Sequence, residues 1–225
     1  MNEIFFENRI DAGEKLAKEI IQQEPELENP IVLGIPRGGV PIGYVLTKKL
    51  GGELDTIVLR KIPVPSDPEA GYGAVTLDKT VILNKGLLSY IHLTKEEMED
   101  GIEKVYREVL RRNKVYRKGK PFPNLKERSV ILTDDGLASG YTMLAAVEFC
   151  KKKKPKQIIV AVPVASDSAA ELIEPEVDRF ILLHKSYSMY FAVASFYERF
   201  EDLKDEEVVE ILEKARKEFS TDETD

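Results

Sequence analysis

Apolar positions recur along this chain in two rhythms, a helical one of three to four residues and short uninterrupted runs of about six. Around residues 11–23, Ile10, Leu16, Ile20 and Ile21 fall near one helical face, and Pro25 then discourages continuation. An amphipathic helix is expected there. The run Pro30–Ile35 is apolar and bounded by turn formers, and residues 39–50 have room for a helix. Residues 55–60 read as a buried parallel strand, because a strand covered by helices on both faces is apolar throughout. Thr94 and Glu97 form a capping-box pair that opens a long helix to about Tyr116, with Val105, Val109 and Leu110 facing inward. Strands follow at 129–134, 157–163 and 179–183, with helices at 141–152 and from a Ser166 cap to about Ile173. Repeated alternation of strand and helix predicts an α/β fold, a mostly parallel twisted sheet flanked by helices.

Two stretches break the alternation. Residues 61–73 carry Pro63, Pro65, Pro68, Gly71 and Gly73 with few large apolar residues, and this predicts a long loop able to act as a lid over residues 62–76. Residues 72–84 fit a hairpin. From His184 onward Tyr187, Tyr190, Phe191, Phe196, Tyr197 and Phe200 crowd together before an acidic helix at 205–219. We read residues 1–25 and 184–219 as a small cap on a core of about 30–183, the whole being a single domain, with residues 220–225 disordered.

Composition narrows the function. The chain has 225 residues, enough for a substantial core, and its net charge of −7 is spread without a broad cationic face. Nucleic acid is therefore not expected as a partner. The run Lys151–Lys154 closes a predicted helix, where cations oppose the negative end of the dipole. A single cysteine, Cys150, excludes an intrachain disulfide and reads as a small buried hydrophobe. No segment approaches the roughly 20 apolar residues of a membrane span, and the first residues are too charged for a signal peptide. A cytoplasmic protein without membrane contact is expected. His92 and His184 lack the clustered partners of a metal or nucleophile site.

The segment that carries chemistry is Val130 to Thr142, an apolar strand followed by Asp134, Asp135, Gly136, Leu137, Ala138, Ser139, Gly140, Tyr141 and Thr142. In an open α/β sheet, ligands sit at the carboxyl ends of strands, where this turn falls. Glycines 136 and 140 let backbone amides approach an anion, Ser139 and Thr142 add hydroxyls, and the next helix points its positive end at the same place. Asp134 and Asp135 are suited instead to accepting hydrogen bonds from sugar hydroxyls beside it. Together these describe a site for ribose 5-phosphate. A P-loop needs a lysine that neither this turn nor residues 38–43 supply, and Gly71-Tyr-Gly73 lacks the third glycine of a dinucleotide fingerprint.

The segment resembles the phosphoribosyl-pyrophosphate signature of type I phosphoribosyltransferases. Leu33-Gly34-Ile35-Pro36-Arg37-Gly38-Gly39 is similar to that family's pyrophosphate loop, and Arg60-Lys61 sits where several members place basic residues. The resemblance spans about residues 30–183 and is nearest to a bacterial and archaeal branch with Ile-Pro-Arg-Gly-Gly-Val. It implies transfer of a phosphoribosyl group from phosphoribosyl pyrophosphate to a nitrogenous base, with Mg2+ bridging substrate oxygens, and, by family habit, a homodimer. It implies Asp134, Asp135 and Arg37 as catalytic groups, the two acids meeting Mg2+ only through ribose or water. Ribose phosphate and pyrophosphate would lie on residues 136–142, Gly38, Gly39, Arg60 and Lys61. Phe196 and Tyr197 are candidates to stack on the base, with core packing of the cap as the alternative. Members acting on 6-oxopurines usually carry an aspartate where this chain has Ala138. A ligand-binding regulator without turnover is the alternative; a receiver-like phosphoryl-transfer domain lacks its early acidic pair and late lysine.

Overall fold

The computed structural model describes residues 5–219, less the side chains of Pro68 and Glu69. Five parallel strands form the main sheet: β1 (Ile31–Gly34), β2 (Glu53–Thr56), β6 (Ser129–Thr133), β7 (Gln157–Ser166) and β8 (Arg179–Ser186). Their order is β2-β1-β6-β7-β8, every neighbouring pair parallel. Side chains alternate across this sheet. Val32, Ile131 and Ile159 enter one core with α1 (Arg9–Gln23), α2 (Gly39–Leu50), α4 (Lys95–Arg117) and α7 (Asp205–Phe219). Leu33, Leu132 and Val160 enter a second core with α5 (Tyr141–Lys151) and α6 (Asp167–Ile173). Both faces are covered, which accounts for the unbroken apolar runs. Phe6, Ala12, Val164, Phe196 and Tyr197 make a third, smaller cluster that joins the two ends of the chain.

The expected strand at 55–60 is two strands. β2 ends at Thr56, and β3 (Leu59–Val64) starts a separate antiparallel sheet with β4 (Asp67–Thr76) and β5 (Val81–Leu83), in the order β3-β4-β5; the short α3 (Lys85–Leu88) follows. Residues 61–73 are therefore mainly hairpin and not a long loop. Pro63 is tolerated because the register shifts on both sides of it, which releases its position from regular ladder bonding. The β4–β5 hairpin falls within the expected 72–84. Ile62, Tyr72 and Val75 of this small sheet are buried in the first core, which anchors it to α4.

The helices lie close to their expected bounds. Thr94 caps α4 in a full capping box with Glu97, and Ser166 caps α6 through a bond from the Ala169 amide. Three inward assignments are corrected: Ile10, Ile21 and Leu110 are 48%, 49% and 43% exposed. α1 buries Ala12, Gly13, Leu16, Ala17 and Ile20 instead, a stripe of smaller residues that lets α1 lie close to α2, where a Cβ on Gly13 would meet Val45 at 2.9 Å. Cys150 is buried, and burial pushes its thiol up to about 12. Residues 1–4 of the expected cap and the tail 220–225 fall outside the described residues.

Candidate functional site

The turn after β6 and the loop after β1 meet at the carboxyl end of the sheet. Ile35 donates its amide to the Thr133 carbonyl at 2.9 Å, which draws residues 35–39 across the start of the acidic turn. Contact is so close that a Cβ on Gly38 would lie 1.9 Å from Asp135 Oδ2, and one on Gly39 would lie 2.4 Å from the Thr133 carbonyl oxygen. Backbone atoms leave no room for a side chain at Gly39, and one at Gly38 would have to displace the Asp135 carboxylate. The Pro36–Arg37 peptide within this loop is cis.

Asp134 and Asp135 are side by side and partly buried. The Asp135 amide donates to Asp134 Oδ1 at 2.9 Å, and the Asp135 carbonyl accepts from the Tyr197 hydroxyl at 2.7 Å. Burial, then the adjacent Asp135 charge, pushes the Asp134 carboxyl well above the usual carboxylate range. Burial raises Asp135 as well, but the Arg9 guanidinium opposes it. Arg9 is a residue that the sequence reading missed. Its Nε and Nη2 lie 2.9 and 2.8 Å from Asp135 Oδ2, although 126 positions separate the two residues, and no local spacing signals such a pair.

Beyond the acids, the turn is pinned to the β7–α6 junction. Leu137 donates to the Val164 carbonyl and accepts from the Ser166 amide, both at 2.9 Å, while the Ser166 hydroxyl donates to the Ala138 carbonyl at 2.6 Å. Leu137 is thus part of the frame, its side chain buried and its amide committed to Val164. Ala138 and Ser139 are exposed, and Tyr141 and Thr142 half-buried. Gly140 has φ 76°, a left-handed conformation that favours glycine, and no side chain caps α5 behind it. Asn8, Asn84, Thr94 and Ser166 cap α1, α3, α4 and α6 by contrast. The first-turn amides of α5 have no intrahelical acceptors, so this end of the helix suits an anion.

A cluster of arginines is assembled from three elements. Arg37 Nη1 is 4.0 Å from Asp205 Oδ1, which also accepts from the Tyr116 hydroxyl at 2.6 Å. Arg60 leaves the main sheet for β3 and lies 3.2 Å from Glu108, whose carboxylate also holds Arg111 at 2.7 Å and Arg112 at 3.1 Å. With Arg111 reaching Asp205 at 3.2 Å, four guanidiniums share two carboxylates. Burial, followed by the charge of Arg112, lowers the Arg60 guanidinium below its ordinary value. Lys61 is exposed and its stem lies over Gly71.

Phe196 and Tyr197 are not placed to stack on a base. They are 6% and 5% exposed and pack with Phe6, and Phe196 also lies against His184. Exposed aromatic surface instead follows β8, at Tyr187 and Tyr190 with Met189 between them. An open groove of about 1330 Å3 lies at the opposite, amino-terminal end of the strands, lined by Asn29, Gly52, Glu53, Lys120 and Arg128 among others. Open α/β sheets place ligands at the carboxyl end, which favours the acidic turn over that groove. Among the described residues no group of three or more His, Cys, Asp or Glu is arranged to hold a metal, and no helix is long and apolar enough to cross a membrane.

Residues 2–198 match the family model of the phosphoribosyl transferase domain. The chain belongs to that family. Two Mycobacterium tuberculosis proteins, from strains CDC 1551 and H37Rv and each named "Putative phosphoribosyl transferase", are 33% identical to it over 215 residues, or 96% of this chain. The chain spans about half the length, 48%, of these curated relatives. The crystal structure of TT1426 from Thermus thermophilus overlays with a TM-score of 0.76 at 34% identity, covering 94% of this chain and 99% of that one. A Neisseria gonorrhoeae protein solved with bound ppGpp gives a TM-score of 0.53 at 12% identity over 96% of this chain and 99% of its own, a likeness of fold alone.

Proposed function

We propose that this phosphoribosyl transferase domain uses phosphoribosyl pyrophosphate and transfers its phosphoribosyl group to a nitrogenous base. The observation that carries the reading is the contact of Gly38, the residue after Arg37, with Asp135, which brings the Arg-Gly-Gly loop against the acidic turn that leads to the uncapped end of α5. In this reading the amides and hydroxyls of residues 138–142 hold the 5-phosphate, and Asp134 and Asp135 accept hydrogen bonds from the ribose hydroxyls. Arg37, with Arg60 and the neighbouring α4 arginines, faces the pyrophosphate, for which guanidinium supplies several planar donors. The bond from the anomeric carbon to the pyrophosphate oxygen breaks, its electrons leaving with pyrophosphate, a base nitrogen forms the new bond, and the proton that nitrogen carried passes to water or pyrophosphate. Negative charge grows on the leaving group beside the arginines, and positive charge grows on the sugar beside the acids.

Magnesium fits the donors present. Two adjacent carboxylates provide the hard oxygens that suit an ion taking most of its ligands from substrate phosphates and water. Asp134 and Asp135 would reach it through ribose or water, and it would neutralise phosphate charge. The acceptor side is assigned to the surface after β8, with Tyr187, Met189 and Tyr190 in place of Phe196 and Tyr197. Ala138 removes a loop carboxylate from the set of proton acceptors, which keeps a second reading in play, a regulator that binds the same ligand without turnover. Incubation with phosphoribosyl pyrophosphate, Mg2+ and a panel of purines and pyrimidines separates the two. Base-dependent pyrophosphate release supports transfer, and tight binding with no release for any base supports the regulator. No binding at all rejects both.

A further inference from the structure

Arg9 is the first residue of α1, a place where a cation opposes the helix dipole and is intrinsically disfavoured. A local helical role does not explain it. Its guanidinium is nonetheless the most fully engaged group around the acids. Nε donates to Asp135 Oδ2, Nη2 lies 2.8 Å from the same oxygen, Nη1 donates to the Glu201 carbonyl at 2.8 Å, and Cζ lies 4.0 Å from the centre of the Phe200 ring. The side chains of Arg9 and Asp135 are only 12% and 15% exposed. Phe200 rests on Tyr197, whose hydroxyl grips the Asp135 carbonyl, so the same residue is held from its side chain and its backbone by two parts of the cap.

We propose that Arg9 is a positioning residue for sugar binding, fixing the Asp135 carboxylate between the cap and Gly38 so that the acidic pair meets the ribose hydroxyls preformed. The inference rests on the reading of Asp134 and Asp135 as sugar ligands. A charge-assisted hydrogen bond and a second close guanidinium nitrogen on one carboxylate oxygen restrict rotation of the group, and the close approach of Gly38 to that same oxygen closes the other side. The cap thereby becomes part of the ribose site without touching the ligand. The Arg9 guanidinium spends its donors on Asp135 and the Glu201 carbonyl, away from the 138–142 amides, so its effect should follow the hydroxyls and not the phosphate.

The test compares ribose 5-phosphate with inorganic phosphate, each titrated into wild-type, Arg9→Ala and Arg9→Lys protein and read by NMR shifts. Arg9→Ala should weaken ribose 5-phosphate on the order of tenfold while leaving inorganic phosphate unchanged. Arg9→Lys, which restores charge but not the fork, should recover part of the loss. A purely structural staple would not separate the two ligands. Wild-type affinity for both in Arg9→Ala, or equal losses for both, overturns the proposal. If Arg9→Ala does not fold, Arg9→Gln keeps the stem and a donor and is judged by the same two outcomes. Wild-type protein that binds phosphate but not ribose 5-phosphate overturns the sugar-site reading along with this one, whereas failure confined to the variants overturns this one alone.

Discussion

The acidic turn and the Arg-Gly-Gly loop touch each other, yet they are built differently. The turn is tied down on every side: Asp135 by Arg9 and Tyr197, Leu137 by Val164 and Ser166, Ala138 by Ser166. Arg37 of the loop, with Arg60 and Arg111, is by contrast 38 to 51% exposed, and these arginines are satisfied by the protein's own carboxylates, Glu108 and Asp205. On the proposed reading, the sugar side is held preformed, while the arginines must exchange internal partners for a substrate anion, which limits the net gain from each because an exposed ion pair contributes only about 0 to 1 kcal/mol. Sugar affinity should therefore depend steeply on few residues, and pyrophosphate affinity shallowly on several.

The largest expected effect is on the rigid half. Asp134→Asn with Asp135→Asn should lower ribose 5-phosphate affinity by about 100-fold or more, as measured by calorimetry, because charge-assisted acceptors are lost at two positions. Next comes the shared boundary. Gly38→Ala places a methyl where Asp135 Oδ2 now lies, so both ribose 5-phosphate and pyrophosphate should weaken by roughly tenfold or more. A selective loss of one ligand there would show that the two halves are less coupled than their contact implies. Arg37→Ala should cost pyrophosphate-bearing ligands about threefold to tenfold and spare ribose 5-phosphate, since Arg60, Arg111 and Arg112 remain. Equal losses for both ligands would remove the distinction between the halves.

The smallest effect is on stability. Asp134 has a folded-state value raised by burial and by Asp135, so the ligand-free fold loses stability as pH rises from the unfolded carboxylate value through the raised one. Asp134→Asn removes that loss and keeps an oxygen for the Asp135 amide. Its ligand-free melting temperature near neutral pH should exceed wild type by ~2–4 °C for each kcal/mol relieved, with no gain at acidic pH. A melting temperature below wild type at both pH values would contradict the assigned burial penalty.

Much of this arrangement was legible because local signals coincided. The 129–134 run, the glycines and hydroxyls after it and the following helix all lie within one strand-turn-helix unit, and the observed β6 and α5 keep those bounds within a residue. Helix caps at Thr94 and Ser166 were equally local. What escaped depends on distant partners. Pro63, Gly71 and Gly73 read as breakers, but β3 and β4 pair through an irregular ladder that accommodates them. The aromatic crowding at 187–200 showed that a cap exists without showing which rings turn inward. Phe196 and Tyr197 do so because Phe6, from the other end of the chain, packs against them. Arg9 escaped for the same reason.

The central claim is that the acids and the uncapped α5 end bind one phosphorylated sugar between them. A crystal grown with ribose 5-phosphate tests it most directly. The account predicts ribose hydroxyls within hydrogen-bond distance of Asp134 and Asp135, with the phosphate on the amides of residues 138–142. Sugar phosphate seated instead in the groove by Glu53 and Lys120, with the acidic turn empty, would contradict it.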